Sequence, residues 1–184
     1  MSTLRALWLV ISSLCLTSWP VSADEAEIEP GTVSARQFTT LAVYGATLGL
    51  SNAVPREKLK AFYICLDEQK RPRLALLYLQ LFKERFTTDE LRVLDRFQAT
   101  AAADKLQQNA IYLLQQESPN LFAADLRMDR PEFTQKDLAD VERFRGTAAG
   151  QKYRQSDLVH SDNIRGPVMD KIKATIAECA EPSR

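Results

Sequence analysis

The sequence predicts an all-α fold, and two of its features support this class. Apolar residues recur at helical spacing through most of the chain, for example at Leu59, Phe62 and Leu66. No segment alternates apolar and polar residues over the about four to eight positions of a half-buried strand. With 45% apolar and 26% charged residues, the 184-residue chain has an ordinary globular composition. We therefore predict one compact helical domain of about six to seven helices over residues 33–184.

The first residues predict export. Arg5 gives a positively charged start, residues 6–16 form an apolar stretch, and Ala23 ends a run of small residues that suits cleavage. This order is typical of a secretory signal peptide over residues 1–23, cleaved after Ala23. We expect a periplasmic protein whose mature chain begins with an acidic, flexible leader over residues 24–32.

Two kinds of membrane attachment are alternatives to cleavage. A retained anchor would need about 20 apolar residues to span a bilayer, and residues 6–16 are too few. A lipid anchor on Cys15 would need a small residue directly before it, where the bulky Leu14 stands. We expect no stable membrane insertion.

The charge balance argues against a nucleic-acid partner. Removing the signal peptide takes away Arg5 and no acid, so 24 basic residues become 23 against 24 acidic ones. The longest basic cluster, KRPR at residues 70–73, contains a proline and is interpreted as a solvated loop between two helices. A mixed distribution of this kind does not create the one-sided basic field that binds nucleic acid.

Two cysteines remain in the mature chain, and they predict one disulfide bond. Cys15 leaves with the signal peptide, so Cys65 and Cys179 can pair with each other in an oxidising compartment. The alternative is that one thiol acts as a nucleophile. The chain has a single histidine and no Cys-x-x-Cys motif to activate it.

The helical patterns place both cysteines on core-facing stripes. Residues 34–52 form the first helical pattern, and Pro55 opens the helix that carries Cys65. Residues 74–82 (LALLYLQLF) are apolar on nearly every side, which predicts the central buried helix. A last helix from near Pro167 has Cys179 on its apolar stripe.

An internal repeat relates residues 86–108, the first unit, to residues 133–155, the second unit. Ten of their 23 aligned positions are identical. Each unit begins with a predicted capping box, Thr87 with Glu90 and Thr134 with Asp137. Each also predicts a buried stripe, formed by Leu91, Leu94 and Phe97 in the first unit and by Leu138, Val141 and Phe144 in the second.

The middle of each unit determines whether that unit forms one helix or two. Gly146 and Thr147 favour a break into two helices in the second unit, whereas the first unit is compatible with one helix or two. The GTAAG stretch at residues 146–150 is interpreted as a helix break with close packing. The alternative is a phosphate-binding helix start assisted by Lys152, but no strand precedes it and the first unit lacks both glycines.

The second unit resembles a family of short exported bacterial helical domains, the 2059 family of domains of unknown function. Phe144, Thr147, Gly150 and Lys152 stand where the family motif has Phe, Ser, Gly and Lys. Arg145 and Ala148 depart from it, since they replace the motif's Tyr and Pro. The resemblance covers residues 133–152, with a more degenerate copy over residues 86–105. It implies an all-α periplasmic domain of unassigned function, and it carries over no catalytic residues to this chain.

The sequence is poor in catalytic and metal-binding residues. His160 is the only histidine, and no second histidine or G-x-S-x-G motif supports a metal site or a catalytic triad. The acids of residues 125–132 are interrupted by arginines, which argues against a calcium loop. We therefore expect no metal, no cofactor and no catalytic site.

Two functional hypotheses follow. The first is a periplasmic, non-catalytic protein that binds another protein, a peptide or an apolar ligand in a groove between the two units, as a chaperone, an immunity protein or a carrier. Its candidate partner-binding residues are Arg96, Arg143, Lys105 and Lys152. The two arginines have an alternative role, as ion pairs to acids on a neighbouring helix. The second hypothesis is a hydrolase that uses His160 or an acid pair. A homodimer is compatible with either.

Overall fold

The computed structural model describes residues 28–50, 54–117, 129–155 and 166–180. These residues form eight α-helices and one π-helical segment, and they contain no strand, so the prediction of an all-α domain is confirmed. The predicted signal peptide, the leader before residue 28, His160 and residues 118–128 of the connection between the units lie outside the described residues. No helix in the described part is long and apolar enough to cross a membrane.

The first half of the chain forms a helical layer around a central helix. It contains α1 (Thr32–Leu50), α2 (Arg56–Ile64), a π-helical segment (Cys65–Lys70) and α3 (Arg71–Arg85). Helix α1 packs along α3, and α8 (Pro167–Ala180) packs on another side of α3. Helix α3 is therefore central, as its apolar sequence predicted, although Leu76 is 68% exposed.

The KRPR segment is helical, so the prediction of a solvated loop is wrong. Lys70 ends the π-helical segment, and Pro72 lies in the first turn of α3. A proline has no N–H to donate and its ring clashes with the carbonyl four residues earlier in a regular α-helix. The wider π turn directly before Pro72 accommodates the proline without ending the helix.

The two units supply the next four helices. The first unit contains α4 (Thr88–Gln98) and the start of α5 (Ala101–Glu117), and the second contains α6 (Gln135–Arg145) and α7 (Ala148–Gln155). Each unit is thus broken into two helices, including the first, for which the sequence left the number open.

One apolar core joins these layers. It contains the largest fully buried side chains of α2, the π-helical segment, α3, α4 and α8, which are Phe62, Leu66, Leu74, Phe82, Leu94, Met169 and Ile172. Phe38 from α1 enters the same cluster and packs edge-on against Phe82, with ring centroids 5.0 Å apart. Burial of these side chains is the main term that stabilises the domain.

The disulfide predicted between Cys65 and Cys179 is present and joins the π-helical segment to α8. It links residues 114 positions apart, a loop for which chain entropy gives an upper estimate of about 4 to 5 kcal/mol. Beside it, Glu178 accepts hydrogen bonds from Lys70 at 2.6 Å and from Arg73 at 3.0 Å. These contacts, with Lys70 first, lower the pKa of Glu178.

Candidate functional site

Both units begin with the predicted capping boxes. The Thr87 side chain accepts from the Glu90 amide, and the Glu90 carboxylate accepts from the Thr87 amide at 2.8 Å. Thr134 and Asp137 make the same two contacts at the start of α6. Each box satisfies two of the amides that a helix start leaves without intrahelical partners.

A threonine turn breaks each unit at the same position. Thr100 Oγ1 donates to the Phe97 carbonyl at 2.7 Å and accepts from the Ala103 amide, so its side chain caps α5. Thr147 repeats this with the Phe144 carbonyl and the Gly150 amide and caps α7. The hydroxyl ends one helix and starts the next, which is the N-cap role that threonine favours.

Gly150 has a close-packing role, as predicted for the GTAAG stretch. A Cβ atom at Gly150 would lie 2.0 Å from the Phe144 carbonyl oxygen. The first unit has Ala103 at this position, so its turn leaves room for a methyl group. Gly146 has an ordinary helical conformation, with φ −72°, and no such contact.

The two units are held together by reciprocal ion pairs. Lys105 of the first unit contacts Asp137 of the second at 2.6 Å, and Lys152 of the second contacts Glu90 of the first at 2.8 Å. Each lysine thus pairs with the capping-box acid of the other unit. Lys105 is the largest of the contacts that lower the pKa of Asp137 to about 2, and Lys152 is the largest of those that lower the pKa of Glu90.

A pair of stacked rings lies between the units. Phe97 and Phe144, which occupy the same position 47 residues apart, have parallel rings with centroids 4.0 Å apart. Helix α4 packs against α7, and α5 packs against α6. Reciprocal contacts between equivalent residues are the geometry of an isologous dimer, here formed within one chain. That the two units are an internal repeat stays a prediction.

The two units therefore pack directly against each other at the place where the sequence predicted a groove. Lys105 and Lys152, two of the predicted partner-binding residues, are engaged in the ion pairs across it, and contact with a partner stays a prediction for both. The signal that could have indicated this geometry is the recurrence of a capping-box acid and a lysine at matched positions in both units, Glu90 with Lys105 and Asp137 with Lys152.

The two arginines of the predicted site lie on the surface, and each contacts its own helix. Arg143 donates to Asp140 at 2.8 Å, and Arg96 donates to the Arg92 carbonyl at 3.3 Å. The prediction that they bridge to acids on a neighbouring helix is therefore wrong. Their role at the rim of a partner site stays a prediction.

The predicted buried stripe of the second unit is wrong at one position. Val141 and Phe144 are buried, but Leu138 is 46% exposed. The equivalent Leu91 is 3% exposed because α1 and α3 cover the first unit at this position. No described helix covers Leu138 in the same way.

A groove lies between α1 and α3, with a volume of about 610 Å³. Its lining is mostly apolar, and its charged residues, Arg36 and Arg71, are both cationic. Arg71 is oriented by Asp67, which accepts from its Nε at 2.8 Å, and by Thr40 at 3.0 Å. The groove residues from α1 are Thr32, Ala35, Arg36, Gln37, Thr39 and Thr40, and those from α3 are Arg71, Pro72, Ala75, Leu76 and Leu79.

Sequence reasoning missed this groove. Residues 74–82 are apolar on nearly every side, which predicted full burial for the whole segment, whereas Leu76 faces the groove and is largely exposed. The available signal was the pair of small residues Ala35 and Ala75, which limits how completely the two helices fill the space between them.

Within the described part of the chain, no cluster of three or more His, Cys, Asp or Glu side chains could hold a metal ion. Compared with protein-family profiles, with curated proteins and with solved structures, the chain matches none of them significantly. Membership of the 2059 family therefore stays a prediction.

Proposed function

We propose that the chain is an exported, non-catalytic binding protein that takes an apolar ligand, or the apolar side chains of a peptide, in the groove between α1 and α3. The observation that carries this proposal is the groove itself. Its volume of about 610 Å³ falls within the range of about 300 to 1,000 Å³ typical of small-molecule sites. The exposed Leu76 on its wall is the kind of apolar surface that a ligand covers.

The charges of the groove favour a ligand with an anionic group. Arg36 and Arg71 line it, and no acid among the described residues does. Arg71 is already paired with Asp67, so Arg36 supplies most of the uncompensated positive charge. A carboxylate on an otherwise apolar molecule would find a hydrophobic wall and a cation in one place.

Export is the second part of the proposal. It is supported by the signal-peptide pattern over residues 1–23 and by a disulfide, which persists in oxidising compartments such as the periplasm. Mass spectrometry of the exported protein should give Asp24 as its first residue. A mature chain that begins at Met1 would exclude cleavage.

A fluorescence titration tests the ligand. Anilinonaphthalene sulfonate, an apolar anion, should gain fluorescence on binding the folded protein, and long-chain fatty acids should displace it better than alcohols of equal length. Leu76→Asp should abolish binding, because it puts a carboxylate on the apolar wall. Arg36→Gln should weaken the fatty acid by about fivefold, or about 1 kcal/mol, as for a partly exposed ion pair.

The matched control is Leu113→Asp. Leu113 is a similarly exposed leucine, but it lies on α5 and does not line the groove. Equal binding by Leu76→Asp and Leu113→Asp would refute the groove as the site. Equal affinity for acids and alcohols would refute the anionic preference alone.

A further inference from the structure

The first unit holds the start of α1 through two residues of α4. Asp95 accepts hydrogen bonds from the Gly31 amide at 2.6 Å, from the Ser34 amide at 2.9 Å and from the Ser34 hydroxyl at 2.6 Å. Leu91, one turn earlier, lies against Gly31. A carboxylate at this place satisfies free amides of the helix start and opposes its partial positive charge.

The second unit holds the same helix further along. Tyr153 of α7 packs edge-on against Phe38 of α1, with ring centroids 5.9 Å apart. Burial raises the pKa of Tyr153 to about 12. Helix α1 therefore contacts both units. Two of the residues that hold α1 flank the Glu90–Lys152 ion pair. Leu91 directly follows Glu90 in sequence, and Tyr153 directly follows Lys152.

The reciprocal geometry creates an equivalent position beside the Lys105–Asp137 ion pair. The counterparts of Leu91, Asp95 and Tyr153 are Leu138, Glu142 and Leu106. Leu138 is 46% exposed and Leu106 is 38% exposed, although both are large apolar side chains. Leu106 directly follows Lys105, and Leu138 directly follows Asp137, so the two leucines are placed as Tyr153 and Leu91 are around the other pair.

Glu142 is available to a ligand. Its side chain is 69% exposed and pairs with Arg145 of the same helix at 2.8 Å. An exposed ion pair of this kind contributes little, so exchanging Arg145 for another positively polarised group costs little.

We propose that Leu106, Leu138 and Glu142 form a second helix-binding slot, which accepts a helix of a partner protein as the equivalent residues accept α1. The chemistry of α1 defines the partner. Its helix begins with a small residue and free amides that face Glu142, and it carries an aromatic residue about seven positions later, as Phe38 follows Gly31.

A second copy of the chain does not supply this helix. Phe38 and Val43 of α1 are buried in their own core, so another copy would have to unfold to offer them. The slot is also separate from the groove between α1 and α3, none of whose lining residues belong to the units. The proposal therefore does not rest on the groove.

The probe that tests the slot is a synthetic peptide of residues 31–50, acetylated and labelled with fluorescein at its carboxyl end. Its fluorescence anisotropy should rise saturably on titration with the intact, disulfide-bonded protein. Leu138→Asp and Leu106→Asp should each weaken binding at least tenfold, and Glu142→Arg should weaken it because it places a cation against the helix start. All three residues are exposed, so the variants should keep the wild-type circular dichroism spectrum.

Ile28→Asp is the matched control, since it places the same charge on an exposed apolar side chain that lies outside both the two units and the groove, and it should leave peptide binding unchanged. Binding that survives both Leu138→Asp and Leu106→Asp, or no saturable binding, would overturn the slot. Loss of binding in Leu76→Asp alone would assign the peptide to the groove. A concentration-dependent dimer seen by sedimentation and abolished by Leu138→Asp would make the occupant a second copy, and would overturn the partner-helix proposal.

Discussion

Leu91 of the first unit is 3% exposed, whereas Leu138, at the same position of the second, is 46% exposed. The two residues follow equivalent capping boxes on helices of equal length. What differs is their surroundings, because α1 and α3 cover the first unit and no described helix covers the second in the same way. Local sequence therefore sets where each helix starts, and tertiary neighbours set which of its residues are buried.

The same contrast appears in the acids one turn later. Asp95 receives three hydrogen bonds from the start of α1, whereas Glu142 pairs only with Arg145 among the contacts described here. The two units are alike where they face each other and differ where they face the rest of the chain. Variants at equivalent positions can therefore separate the stability that comes from contacts between the two units from the stability that comes from contacts with the rest of the chain.

The largest expected effect is shared by both units. Phe97→Ala and Phe144→Ala should each reduce the free energy of unfolding by about 3 to 5 kcal/mol, because both rings are buried and stack on each other. The double variant should lose less than the sum, by about 0.5 to 1.5 kcal/mol for the aromatic pair. Urea unfolding of the four proteins measures this. A loss below about 1 kcal/mol for either ring would contradict the stacked contact.

The second effect should differ between the units. Leu91→Ala should cost about 2 to 5 kcal/mol, because it leaves a cavity beneath α1 and α3. Leu138→Ala should cost less than about 0.5 kcal/mol, as expected at an exposed position. Thermal unfolding of both variants gives the comparison. Equal losses would mean that Leu138 is covered in solution and that the two units have equivalent surroundings.

Much of this architecture could be predicted from the sequence because it depends on local signals. The capping boxes need only a threonine and an acid three positions later. The disulfide followed from there being two cysteines in the mature chain, each on a core-facing stripe. The exposure of Leu138 and the contact of Asp95 with α1 could not be predicted, because both depend on helices distant in sequence.

The candidate site was the least predictable part. The sequence predicts Lys105 and Lys152 as partner-binding residues, but each lysine pairs with an acid of the other unit. These ion pairs depend on how the two units face each other, and the sequence of a single helix does not encode that arrangement. The groove depends in the same way on how closely α1 and α3 approach.

A third effect concerns the turns. Gly150→Ala should cost about 1 to 3 kcal/mol, because its Cβ would lie 2.0 Å from a backbone oxygen and the turn would have to move. Ala103→Gly in the first unit should cost only about 1 kcal/mol, the usual helix penalty of glycine. Denaturant unfolding compares them. A neutral or stabilising Gly150→Ala would show that the second turn has the room of the first.

The smallest effect should be the pH dependence of the ion pairs. The folded protein lowers the pKa of Asp137 to about 2 from 3.8, so its pairing stabilises the folded state above about pH 4. This contribution is lost as the pH falls from about 4 to about 2, where the carboxylate takes up its proton. Lys105→Met should therefore reduce the free energy of unfolding by about the same amount throughout the range from pH 5 to pH 8. Below about pH 4 this reduction should become smaller.

Lys152→Met should show the same sign, because Lys152 lowers the pKa of Glu90. Its acid-sensitive part should be smaller, since the Lys152–Glu90 pair is more exposed than the Lys105–Asp137 pair. Part of the stability loss in Lys152→Met should be independent of pH, because the Lys152 ammonium also lies 5.5 Å from the centre of the Phe86 ring. Lys136→Met, at an exposed lysine of α6, is the control for loss of a positive charge. If the stability of Lys136→Met changed with pH as that of Lys105→Met does, the effect would come from the net charge. The reciprocal ion pairs between the units would then not be its cause.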